Sequence, residues 1–231
     1  MVDDAYSRQM LIRENLIDQR FADVHALLDE GEAAAKECLE EVLTLLADNP
    51  AYTKNVGSIV RPDGKEITID RDNPLVTLGR LIQEDICILQ PSELGHKLVG
   101  AILCFPASWT LAEKIGRPMV RIHAPVTEYS GEVAKRVQRL FDMVHSDRPM
   151  WRANAFAYDH ARLFTPRRED DPPRKVDGEI RFVRSERQVI KKLPQTGAIV
   201  FSIHTFIVPI ENLTHDQAES FDLVLEKSGR I

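Results

Sequence analysis

Glycine patterns that bind nucleotides are missing from this chain. None of its eleven glycines forms a GxGxxG or GxxxxGK run, so neither a dinucleotide-binding turn nor a phosphate-binding loop is encoded. If the protein uses NADPH electrons, another polypeptide must bind the nicotinamide. Cysteine is scarce as well: Cys38, Cys87 and Cys104 lie far apart, are odd in number and form no CxxC pair. That argues against a disulfide framework, a zinc knuckle or a thioether-attached group, and points to a reducing cytoplasm. GxSxG is absent and no cysteine sits in an activating motif, so hydrolase chemistry is poorly supported. Basic excess is missing too: a net charge of −6 and a pI near 5.7 disfavour nucleic acid or an anionic membrane as partner. The longest uncharged run, residues 193–210, is interrupted by Pro194, Gln195, His204 and Pro209 and reads as a buried strand, not a membrane span. The opening residues, MVDDAYSRQM, are acidic and polar, unlike a secretory signal.

What is present is ordinary globular material. The 231 residues are 43% hydrophobic and 29% charged, enough for one domain with a sizeable core. Residues 4–29 carry a rough helical stripe, and residues 32–48 form a second helix with Leu39, Val42, Leu43, Leu45 and Leu46 on one broad face. These make a helical lead-in of about residues 1–48 to a single domain spanning 1–231. KEITID at 65–70 alternates like a short strand, and residues 74–85 read as a helix leading into the strand ICILQ. Residues 98–105 are almost unbroken apolar, as a strand buried on both faces requires, and a turn joins them to ICILQ as a hairpin. TLAEKIG is a short helix closed by Gly116. SGEVAKRVQRLFDMVH is an amphipathic helix with Val133, Val137, Leu140, Phe141 and Val144 inward. Residues 165–179 are the most polar stretch and read as a mobile surface loop. Two long strands joined by KKLPQTG follow, then a last helix ending near Gly229. The expected fold is α+β: about five antiparallel strands with flanking helices.

Three constellations are candidates for chemistry. Pro118 opens an extended segment that carries His123 between Ile122 and Ala124, with Pro125 ending it; an imidazole in so stiff and apolar a setting suits an axial metal or haem ligand, and equally a core histidine bonded to a backbone carbonyl. Strand alternation puts Arg184, Glu186 and Gln188 on one face. Glu186 there either faces a pocket, where it binds an ammonium or moves a proton, or forms a salt bridge to a neighbouring strand. His145 and Asp147, with His204, have the residue types of a non-haem iron triad, although a helix end explains His145 equally well. His25, His96, His160 and His215 read as solvated, and His204 as a core residue.

Several motifs in one order resemble the haem-dependent oxidative N-demethylase family: LGRLIQEDICILQP at 78–91, FPASWTLAEKIGRP followed by IHAPV in 105–126, RPMWRANAF at 148–156, and RSERQVIKKLPQTGAIVFSIHTF at 184–206. The resemblance implies a PAS-like fold that binds haem b iron and carries out O2-dependent oxidation at a C–N centre of a small amine, with electrons from NADPH through a separate flavin or iron–sulfur reductase. It implies His123 as axial ligand, Glu186 and Tyr129 as catalytic pocket residues, and Arg121, Arg152, Asn154, Arg184 and Arg187 as cofactor-binding candidates, since guanidinium groups match haem carboxylates. A non-catalytic PAS-like haem or small-ligand sensor is the alternative. The family tends to read IHxPVPGY and Arg-x-Asn-Trp where this chain has Thr127 and Glu128, and Ala155. The missing tryptophan is expected to reshape the pocket, so dimethylamine, the small substrate linked to the family, is not carried over.

Overall fold

The N-terminal helical stripe ends where a sheet edge captures the chain. The computed structural model describes residues 1–123, 131–172 and 178–227, with side chains except at 131–135, 224, 226 and 227. In it the helix expected over 4–29 is α1 (Tyr6–Gln19), a one-turn α2 (Phe21–Val24) and a strand, β1 (His25–Leu27). The Leu103 N–H donates to the Val24 carbonyl at 2.7 Å and the Leu28 N–H to the Val99 carbonyl at 2.9 Å; these sheet bonds override the local helical preference. In α3 (Glu32–Ala47) the apolar face packs as expected except at Leu45, which stays 62% exposed.

The chain then makes β2 (Thr53–Lys54), β3 (Ser58–Val60) and β4 (Glu66–Thr68), a separate three-stranded sheet that absorbs the KEITID strand. After α4 (Pro74–Leu81) come β5 (Asp85–Ser92) and β6 (Gly95–Ile102), the expected hairpin, then α5 (Leu111–Lys114), α6 (Met119–Ile122) and α7 (Gly131–Met143). β7 (Met150–Tyr158), β8 (Phe182–Lys192), β9 (Ile199–Pro209) and α8 (His215–Lys227) complete the described elements; Gly229 lies outside the described residues. The main sheet is six-stranded and antiparallel throughout, in the order β1-β6-β5-β9-β8-β7.

That order places the site. β6 and β7 sit far apart in the sheet, and the described parts of the connection between them, residues 103–123 and 131–149, lie across one of its faces. The opposite face is covered by α1, α3 and α4, where Met10, Leu39 and Leu78 pack against Ile86, Val99 and Ile102. The α4 contact is close: a Cβ on Gly79 would come 2.6 Å from Ile102 Cγ1. With both faces covered, β6 is buried on both sides, the reason its apolar run is unbroken. Asp85 then turns the chain off the sheet. Its carboxylate accepts the Cys104 and Phe105 N–H groups at 2.7 and 2.8 Å and pairs with Arg13 at 2.6 Å, all buried.

Two expectations change here. Pro118 is itself extended, bridging Lys97, but a turn of helix follows it instead of a strand, because the Arg121 and Ile122 N–H groups fold back onto its carbonyl at 2.8 and 3.0 Å. The polar stretch from residue 165 is anchored in its described part: the Thr165 hydroxyl donates to the Pro106 carbonyl at 2.9 Å, and Glu169 pairs with Lys114 at 2.6 Å. Residues 173–177 of that stretch lie outside the described residues. No helix among the described residues is long and apolar enough to cross a membrane.

Candidate functional site

Between the sheet and the crossing segment lies a cavity of about 570 Å³. Its sheet wall is largely apolar, with Leu89, Leu98, Phe201 and Ile203, and its cover includes Trp109, Met119 and the α7 residues Val137, Leu140 and Phe141. Val133 lies outside the described side chains. Another histidine holds α7 in place. His96, expected in solvent, is only 3% exposed, because Gln138 of α7 sits 3.0 Å from its Nδ1 and accepts its backbone N–H at 3.2 Å.

One polar row crosses the apolar sheet wall. Arg184, Glu186 and Gln188 share a face of β8, as the alternation requires, and all three are buried. Glu186 accepts from Arg184 Nε at 3.2 Å, from Gln188 Nε2 at 3.1 Å and from Asn154 Nδ2 at 3.4 Å. Gln188 in turn accepts from Arg152 Nε at 2.8 Å. The row therefore runs Arg152–Gln188–Glu186–Arg184, and all but Arg184 line the cavity. Arg184 also donates to the carbonyls of Leu163 and Phe105 and lies over the Tyr158 ring. Its guanidinium serves as a strut that positions Glu186.

His123 enters from the cover, at the end of α6, and lines the same cavity. Its Nδ1 lies 3.0 Å from the Met119 carbonyl. That contact makes Nδ1 the N–H donor and puts the lone pair on Nε2. Burial lowers the pKa of the imidazole, and the nearby Lys114 and Arg152 charges act in the same direction, against the Met119 hydrogen bond. Lys114 fixes this corner: its buried ammonium donates to the Ile122 carbonyl at 2.8 Å and to Glu169 at 2.6 Å. Hydrogen bonds from Lys114 and Arg121 hold the Glu169 carboxyl at about 2.

The other candidates are placed as follows. Arg121 is 43% exposed in its pair with Glu169 and is not in the cavity wall. Arg187 is on the opposite face of β8, over the Trp151 ring at 5.6 Å. Asn154 holds Glu186 from both sides, since its Oδ1 also accepts the Glu186 N–H at 3.1 Å. Tyr129, Thr127 and Glu128 lie outside the described residues. Ala155 packs with Val183 and Phe221, on the face away from the cavity. The missing tryptophan thus alters the contact with α8, contrary to the expected reshaping of the pocket. His204 does not meet His145 and Asp147: its two ring nitrogens face Glu84 at 3.1 Å and Asp3 at 2.9 Å. Among the described residues no group of three His, Cys, Asp or Glu side chains is placed to hold a metal ion.

Residues 1–227 match one family model, described as haem-dependent oxidative N-demethylase, alpha subunit-like. The chain belongs to this family. No curated protein matches it. Membership of the N-demethylase family covers the N-terminal helices as well as the motif-bearing segments, and its description names haem dependence and a subunit role. The cavity fits such a group: largely apolar walls, one imidazole oriented by the Met119 carbonyl, and cations at Arg152 and Lys114. Lys114, Gln188 and Glu169 escaped the sequence reading as site residues. For Gln188 the signal was available, in the Arg-x-Glu-x-Gln alternation of β8.

Proposed function

We propose that this chain binds haem b through His123 and catalyses O2-dependent oxidative N-demethylation of a small amine, as one PAS-like domain with its N-terminal helices packed on the sheet. The observation that carries the reading is a half-buried imidazole and a buried carboxylate lining one largely apolar cavity. Bound haem supplies an iron at which O2 is activated. The chain's own residues do the rest. His123 offers Nε2 to the iron while the Met119 carbonyl fixes its ring, the outer-shell support that metal-bound histidines typically have. Arg152 pairs with a haem carboxylate. The apolar sheet wall excludes water. Glu186, held by three donors, accepts the ammonium proton of the amine and orients its nitrogen; Tyr129 is proposed to complete the same pocket.

In the net reaction an N-methyl amine, one O2, two electrons and two protons give the demethylated amine, one formaldehyde and one water. The C–N bond to the methyl carbon breaks, and the nitrogen keeps the bonding pair and takes up a proton. The methyl carbon gives up two electrons, and a separate reductase supplies the other two, because no nucleotide-binding glycine motif is present. The test is single-turnover oxidation of a methylamine series by the haem-loaded, chemically reduced chain. One formaldehyde per O2 consumed is expected. O2 binding with no formaldehyde from any amine would contradict the proposal.

A further inference from the structure

A second concavity, of about 390 Å³, adjoins the cavity and shares Ser108 and Arg167 with it. Its walls bring together Arg20, His160, Arg162 and Arg167, and among the described residues that line it none is acidic. The charges there are incompletely balanced. Arg20 pairs with Asp23 at 2.7 Å and lies over the Phe164 ring. Arg167 donates through Nη1 to the carbonyls of Arg168 and Asp171, at 3.3 and 2.8 Å, yet its Nε–H is buried and meets no acceptor among the described residues. The Arg162 guanidinium, in the exposed part of the wall, has no ion-pair partner among the described residues. Buried donors without acceptors are rare and costly in folded proteins. The shared wall is also held in a costly shape: Ser108 adopts φ 63°, with its N–H donating to the Thr165 carbonyl at 3.0 Å. A residue with a side chain occupies that region rarely, and such positions gather at ligand sites.

We propose that this concavity is a binding site for an oxyanion, a carboxylate or phosphate, gripped by Arg162 and Arg167 with Arg20 at the rim. Guanidinium groups match such anions in charge and in planar donor geometry. The anion has two sources of the same chemistry: a free small anion, or the acidic end of a molecule whose body fills the main cavity and reaches past Ser108.

Titration calorimetry of the intact chain with inorganic phosphate and with acetate, at ionic strength held constant with sodium chloride, tests the site. Saturable binding of at least one anion is expected, weakened about ten-fold or more in Arg162→Ala and in Arg167→Ala, as loss of a charge-assisted hydrogen bond implies. Arg162 makes no contact on which the fold depends, so its variant remains informative if Arg167→Ala loosens the loop. Repeating the titration on haem-loaded chain separates the sources: loss of anion binding assigns the site to an acidic group of the main-cavity occupant, and retained binding assigns it to a free anion. No saturable binding, or equal binding by wild type and both variants, overturns the proposal. The first titration needs no cofactor, so its outcome is independent of the haem reading.

Discussion

Arg184 Nε lies 3.2 Å from Glu186 Oε1, and the two side chains are 0% and 8% exposed. The pair is local in sequence but ties distant parts together, since the same guanidinium reaches the carbonyls of Phe105 and Leu163. Arg184→Ala leaves a buried carboxylate without its cation and takes a donor from two carbonyls. Removing one partner of such a pair costs about 3–5 kcal/mol. Urea denaturation checks this: the unfolding midpoint should fall sharply at unchanged slope, whereas a loss under about 1 kcal/mol would reduce the pair to a surface-like contact.

Glu186→Gln keeps the shape of the side chain while removing its charge and its capacity to take a proton. The haem should remain bound. Turnover of amine is expected to drop by about 10²–10⁴-fold, the usual range for a general acid–base group. Unchanged kinetics in a folded, haem-replete variant would leave Glu186 as a structural partner of Arg184 alone.

His204 supplies a pH dependence with a definite sign. Burial lowers its affinity for a proton, but hydrogen bonds to Glu84 and Asp3 outweigh that and raise the pKa overall. Burial of Glu84 is likewise overridden by His204 and by the Met1 ammonium 2.9 Å away, and its carboxyl is held at about 2. A raised histidine pKa gives stability that is fully present below the unfolded value of about 6.5 and is lost as pH rises through the folded value. The depressed carboxylates of Asp3 and Glu84 give stability present above the ordinary carboxylate range and lost only as pH falls through their folded values. The melting temperature should therefore decline from about pH 6.5 upward. In His204→Gln that decline should flatten, with stability at neutral pH lower by roughly 1–3 kcal/mol. A parallel pH profile in the variant would show that His204 is not the titrating group.

Elements with a clean period were legible in the sequence: the β5–β6 and β8–β9 hairpins, the amphipathic α7, and the Arg184–Glu186–Gln188 row. Others depended on partners that leave no local pattern. β1 exists because Val99 and Leu103, far along the chain, offer hydrogen bonds to the residues flanking it. The ion cage of His204 joins residues 201 positions apart. His96 is buried only because α7 folds over it. β7 is the reverse case: MWRANAFAY carries its exposed residues at Trp151, Arg152, Ala153 and Phe156, so the usual in–out alternation of a half-buried strand is blurred at the sheet edge. The sequence puts His123 on an extended segment; the turn of helix that carries it is made by the Arg121 and Ile122 N–H groups bonding to the Pro118 carbonyl.

Reduction must come from outside this chain if the electron route is as proposed. Haem-loaded protein with amine and NADPH alone should oxidise no NADPH above the blank rate, while a flavin or iron–sulfur reductase should restore turnover. Steady NADPH oxidation by the isolated chain would overturn this.

The central claim is that His123 is the iron ligand. The most direct measurement is the absorption spectrum of the chain reconstituted with haem b, for wild type, His123→Ala and His204→Gln. Wild type and His204→Gln should give the same intense Soret band, and His123→Ala should lose haem on gel filtration or shift its band. A Soret band unaltered by His123→Ala but moved by His204→Gln, or no retained haem in the wild type, would contradict the account.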